Sequence, residues 1–187
     1  DLVDRSPQVM GECFRRSMAL RQCEYEFLCL IDNDFFFHSD GWATAFVNWC
    51  QSLPDLGIVA PLVAGATANG SQLCQQPPPY NFAYRNRRSV AVSSDFLPAF
   101  CWFIRTALGQ EIGPLDTRLI HRGYDLDYCQ RLVQKGRKLY IAQDVFGVHV
   151  GAQTIPVTNP MKEKWELEAK ASLIGKWIIP KLKKLDK

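Results

Sequence analysis

Two pairs of carboxylates and one histidine are the residues of this chain whose type and spacing suit chemistry. Asp32 and Asp34 flank Asn33 in a D-x-D triplet directly after the apolar run FLCLI at residues 27–31. In an extended segment, side chains at i and i+2 point to the same side. Paired carboxylates of that kind suit Mg²⁺ or Mn²⁺, and those ions in turn suit phosphates. The triplet also fits a plain turn, because Asp and Asn are good turn formers. Asp125 and Asp127 repeat the spacing at the start of a helical stretch, where acids favour the helix dipole and need no further role. His149 closes a strand-like segment at residues 145–150. Alternation puts it on one face with Val145 and Gly147, away from Phe146, Val148 and Val150. A lone histidine is more often structural than a ligand; its place off the most apolar face favours the ligand.

Length and composition bound the remaining choices. A chain of 187 residues with 47% apolar and 22% charged content forms a domain with a real core. A net charge of +3 without a basic stripe argues against nucleic acid. Seven cysteines, an odd number and without a C-x-x-C pair, favour reduced thiols and a cytoplasmic setting. No signal peptide and no apolar run of bilayer length are visible. The tripeptide Asn69-Gly70-Ser71 reads as a chance glycosylation sequon in that compartment.

The elements that must position these groups follow from periodicity. Ser6-Pro7 opens a first helix with Val9, Met10, Cys13, Phe14, Ser17 and Leu20 inward and Arg15, Arg16 and Arg21 outside. The run at 27–31 suits a strand buried on both faces, as in a parallel sheet, and ligands bind beyond the carboxyl ends of such strands. Ser39 caps a second helix whose Trp42, Ala45, Phe46, Trp49, Cys50 and Leu53 form a core stripe. Residues 57–63 form another buried strand. From 64 to about 94 the order weakens, with a triple proline and the basic cluster Arg85-Asn86-Arg87-Arg88. That cluster is either a solvated loop or a clamp for diphosphate or an anionic acceptor. A strand at 100–105 and a short helix to Gly113-Pro114 come next. A helix at 125–135 has Leu126, Cys129, Leu132 and Val133 inward and Gly136 past its end. Late strands lie at 139–142 and 145–150. Residues 160–187 hold eight Lys against three Glu and one Asp. Trp165, Ala169, Leu173 and Trp177 share a face there, which packs on the domain or lies on an anionic membrane.

The order of these motifs resembles the family-2 glycosyltransferases of the GT-A fold, over residues 8–155. The matching segments are Asp32-Asn33-Asp34; Cys101-Trp102-Phe103-Ile104-Arg105 with Ile112-Gly113-Pro114-Leu115-Asp116; Gly123-Tyr124-Asp125-Leu126-Asp127-Tyr128-Cys129-Gln130-Arg131 with Gly136; and Val148-His149. The resemblance implies an α/β domain at residues 1–160, a mixed and mostly parallel sheet flanked by helices, followed by a basic amphipathic helix and tail at 161–187. It also implies an inverting, metal-dependent transfer from a nucleoside-diphosphate sugar to a hydroxyl of a cell-surface glycan or glycolipid, as in polysaccharide biosynthesis.

Residue by residue, the resemblance assigns Asp34, Asp32 and His149 to Mn²⁺ or Mg²⁺, with Asp32, Asp34 and Arg105 on the donor side. Asp125 matches the general base, and a single base without a carboxylate nucleophile implies inversion. Trp102 offers an aromatic face to a sugar, Asp127 orients the acceptor or caps its helix, and Tyr124 stands where the family has glutamate. The family opens with a nucleobase-binding strand–helix–strand unit ahead of the first helix seen here, so a truncated N-terminus is expected. Partners would be the nucleotide sugar and its acceptor, with a peripheral contact on the inner membrane face through 161–187 as the alternative to packing. A non-catalytic carbohydrate-binding or scaffold module of the same fold is the competing reading. A metal-dependent phosphoesterase using Asp32, Asp34 and His149 is a weaker third.

Overall fold

The computed structural model describes residues 11–64, 90–93, 96–119, 123–150 and 161–178. The expectations for residues 6–10, the sequon and the Arg85–88 cluster lie outside them. In chain order the elements are α1 (Gly11–Gln22), β1 (Phe27–Ile31), β2 (Phe35–Phe37), α2 (Trp42–Ser52), β3 (Leu56–Ala64), β4 (Val90–Ser93), β5 (Cys101–Arg105), α3 (Thr106–Ile112), α4 (Tyr124–Gln134), β6 (Lys138–His149) and α5 (Met161–Leu173), which runs into a π-helical turn at Ile174–Ile178.

The strands form one mixed sheet in the order β1-β5-β3-β6-β2, with β4 also on β6. Among the described residues, only β3 and β6 pair in parallel; β1–β5, β3–β5, β2–β6 and β4–β6 are antiparallel. The expectation of a mostly parallel sheet is therefore corrected. β1 is likewise not a strand buried on both faces of a parallel sheet. Its one neighbour among the described residues is antiparallel β5, and of its side chains only Leu30 is buried while Ile31 is 44% exposed. An apolar run of five residues reads alike in either setting, and the neighbour decides which it is. The pairings nevertheless orient β1, β3 and β6 the same way. The carboxyl ends of β1 and β6, where Asp32 and His149 lie, thus share one edge of the sheet.

The two faces carry separate cores. Trp102, Ile104, Ile58, Leu139 and Ile141 pack with Leu20 of α1, Leu108 of α3, and Tyr128 and Leu132 of α4. Alternate residues Cys101, Phe103, Val59 and Tyr140 pack with Phe46 and Cys50 of α2. The stripe of α2 holds, but Gly41 at φ 68° starts the helix, and Ser39 Oγ instead accepts the Phe146 N–H at 2.7 Å. In α4 the inward residues include Tyr128 as well as Cys129 and Leu132, whereas Val133 faces outward.

The two late strands are one, β6, interrupted by a bulge: Pro61 lies opposite Ala142 and Leu62 opposite Phe146, so residues 143–145 have no counterpart. Beyond the bulge Gly147 lies opposite Phe37, with the Phe35 ring pressed on it. A Cβ there would sit 2.2 Å from Phe35 Cζ. Gly147→Ala is expected to lower stability by about 1–3 kcal/mol, the usual effect of overpacking, read as a fall in melting temperature.

The C-terminal helix packs on the domain. Ala169 is buried, and Leu173 covers Gly123 so closely that a Cβ there would lie 2.7 Å from Leu173 Cδ1. The Ala169–Leu173–Trp177 face is thus used against the domain and is not free to lie on a membrane. Among the described residues, no helix is long and apolar enough to cross one.

Candidate functional site

Asp32, Asn33, Asp34 and Phe35 form a tight turn closed by the Phe35 N–H bonding the Asp32 carbonyl at 3.2 Å. The turn reading and the ligand reading of the triplet therefore coexist. Two backbone bonds pin it: the Asp32 N–H donates to the Phe100 carbonyl (2.8 Å), and the Val150 N–H to the Asp34 carbonyl (3.1 Å). Because β2 starts directly after Asp34 and pairs Phe35 with His149, the last residue of β6 is brought alongside the triplet. His149 Nε2 lies 3.1 Å from Asp34 Oδ1 and 3.5 Å from Asp32 Oδ2. Its ring stacks on Phe100 with centroids 4.7 Å apart, and the residue is 9% exposed.

One ligand atom from each of the three residues lies within 4.8 Å of the others. An octahedral ion bound at 2.0–2.1 Å holds adjacent ligands about 3 Å apart. The spacings from His149 to the two carboxylates match that requirement, so the donor set fits a divalent cation. Two carboxylates with one imidazole suit Mn²⁺ better than Mg²⁺, which prefers oxygen alone.

Burial alone would pull the His149 imidazolium down, but its hydrogen bonds and proximity to Asp32 and Asp34 outweigh that, and the group is raised above its ordinary 6.5. The protonated ring therefore stabilises the ion-free fold below 6.5, and that contribution is lost as pH rises through the raised value. Metal binding needs the neutral ring. Mn²⁺ affinity is thus expected to increase over the same interval, which titration calorimetry across pH 6 to about 8.5 would show. A flat profile would remove His149 as a ligand.

Sequence reasoning missed the residues beneath this cluster. Arg16, placed outside the α1 stripe, is only 6% exposed. Its Nη2 pairs with Asp32 Oδ1, its Nε donates to Glu12 Oε1 at 2.7 Å, and its Nη1 has no partner among the described residues. Tyr124 of α4 is buried beside Glu12 and Arg16. A signal existed: Cys13, Arg16, Ser17 and Leu20 are themselves spaced i, i+3, i+4 and i+7, which puts Arg16 on the inner face. Burial raises Glu12 against the opposing pull of Arg16, and Asp32 nearby raises it further. Burial would also raise Asp32, but the His149 hydrogen bond and the Arg16 charge hold it below its ordinary 3.8. Arg16 is thus the cation that lets two half-buried carboxylates coexist. Arg16→Met is expected to cost about 1.5–3 kcal/mol, as loss of hydrogen bonds to charged groups does. Urea unfolding measures it; a change below about 1 kcal/mol would mark the pairing as unimportant.

The other sequence-derived site residues are placed as follows. Asp125 is half-buried in the first turn of α4, where its Oδ1 accepts the Leu126 N–H at 2.8 Å. Its neighbour Tyr124 is buried against Glu12 and Arg16, which links α4 to Asp32 but leaves no phenol for an acceptor. Trp102 is core: 1% exposed, stacked on Tyr128 and donating Nε1–H to the Leu97 carbonyl at 3.0 Å, it has no face for a sugar. Asp127 is 0% exposed and neither caps its helix nor meets an acceptor; Arg131, Lys176 and Trp177 take its oxygens. Arg105 lies at the far end of β5 from Asp32, opposite Phe27, bonded to Glu26 and the Cys50 carbonyl. The structure does not bring it to the cluster.

A mixed sheet flanked by helices is consistent with a GT-A-like fold. Among solved structures, this chain is similar to GalNAc-T7, a GT-A glycosyltransferase determined with UDP, GalNAc and Mn²⁺, at 14% identity and a TM-score of 0.59. The match covers 76% of this chain and 31% of that one. At such identity the likeness shows the fold alone. No family model matches the chain, and no curated protein does.

Proposed function

We propose that this protein is a metal-dependent, inverting glycosyltransferase that moves a sugar from a nucleoside-diphosphate sugar to a hydroxyl of a glycan or glycolipid. The observation that carries the reading is the Asp32–Asp34–His149 cluster at the shared carboxyl edge of β1 and β6. Asp34, Asp32 and His149 would hold the ion. When bound, a divalent ion neutralises the charge that builds on a departing nucleoside diphosphate. Arg16 fixes Asp32 toward the site, and its uncommitted Nη1–H is a buried donor suited to an anionic oxygen. Asp125, on the turn linked to that network through Tyr124, would take the proton of the acceptor hydroxyl as it attacks the anomeric carbon.

UDP is the first nucleotide to try, because the structural neighbour was determined with it. A thermal-shift screen with Mn²⁺ and UDP, GDP or dTDP tests the reading, since a ligand bound only to the folded state raises the melting temperature by mass action. A shift that requires both metal and one nucleotide is expected. No shift with any pair would favour the non-catalytic carbohydrate-binding module.

A further inference from the structure

We propose that Lys176 and Trp177, in the π-helical turn that ends the C-terminal helix, are positioning residues for the candidate base, acting through the buried carboxylate of Asp127. The inference rests on the reading of Asp125 given above.

Asp127 Oδ1 accepts both the Trp177 indole N–H at 2.9 Å and Lys176 Nζ at 2.6 Å, while Oδ2 accepts Arg131 Nε at 3.1 Å. Lys176 also reaches Asp116 Oδ2 at 3.4 Å, so one ammonium joins the α4 start to the chain after α3. Arg131 ties the same place to the Ile112 and Pro114 carbonyls, at 3.1 and 2.9 Å. Two Asp127 oxygens with three charged or indole donors are a satisfied buried network, which makes its geometry specific.

The grip falls on the turn that carries Asp125. The Asp127 N–H closes the first turn of α4 on the Gly123 carbonyl at 2.9 Å, and Gly123, at φ 80°, lies directly under Leu173. Asp125 and Asp127 are about 200° apart around the helix. Clamping Asp127 on the inner side therefore sets the rotation that turns Asp125 the other way, with Tyr124 between them directed at Glu12 and Arg16. A short turn begun at a glycine has little rigidity of its own; here the C-terminal segment supplies it.

The test compares the whole chain with Lys176→Met, Trp177→Phe and, as the conservative control, Lys176→Arg. Amide hydrogen exchange is read at Asp127, with β3 as the internal reference. Loss of one bond to a buried charge is expected to speed exchange at that amide about tenfold without changing β3. In turnover, kcat should fall about tenfold with donor KM and Mn²⁺ affinity unchanged, and Lys176→Arg should recover most of it. Should Lys176→Met unfold, Trp177→Phe carries both readouts. Unchanged exchange overturns the clamp whatever the activity, and faster exchange with unchanged kcat overturns the positioning role. A wild-type chain inactive on every nucleotide sugar overturns the role of Asp125 and with it positioning, while exchange still decides the clamp.

Discussion

Asp34→Asn is expected to weaken Mn²⁺ binding by about 100-fold or more, since even partners behind a metal ligand alter affinity 10- to 100-fold. Asparagine keeps the shape of the side chain and an oxygen for His149, so the turn closed by Phe35 should survive and the metal-free melting temperature should change little. Asp34 differs in this from Asp32, which is also one half of the part-buried pair with Arg16. Substituting Asp32 would therefore mix a binding defect with a folding defect. Titration calorimetry of the two variants beside wild type separates the cases. Wild-type affinity in Asp34→Asn would mean that the cluster does not hold the ion.

Asp125→Asn carries the second large effect. General-base catalysis contributes about 10²–10⁴ in rate, so kcat should fall by that factor. Donor KM and Mn²⁺ affinity should stay at wild-type values, because Asp125 is not among the grouped ligands. Asparagine still offers an oxygen to the Leu126 N–H, which protects the start of α4. A variant that retains turnover would remove Asp125 as the base and return it to the plain role of a first-turn acid favourable to the helix dipole.

The two variants probe opposite sides of one network. On the proposed reading, Asp34 lies on the metal side and Asp125 on the acceptor side. Between them run Asp32, Arg16, Glu12 and Tyr124, contributed by the β1 end, α1 and α4. Tyr124 thus packs the first turn of α4 beside the Arg16–Glu12 pair.

What the amino-acid order determined by itself was whatever depends on local period and backbone chemistry. The α2 stripe from Trp42 to Leu53 was legible because a helix repeats every 3.6 residues, and Gly136, at φ 74°, because only glycine readily adopts that conformation after a helix. Asp32, Asp34 and His149 were legible as ligand types at strand ends. Only the tertiary structure decided what each residue meets. Trp102 reads as a sugar platform until Tyr128 covers it, and Arg16 as a surface cation until Asp32 and Glu12 close on it. Asp127 reads as a helix cap until Lys176 and Trp177, some fifty residues later, take its oxygens. The same holds for β1, whose neighbour β5 lies more than sixty residues on and runs antiparallel. Contacts between residues so far apart are chosen by how helices and strands pack together, and no local spacing encodes that choice.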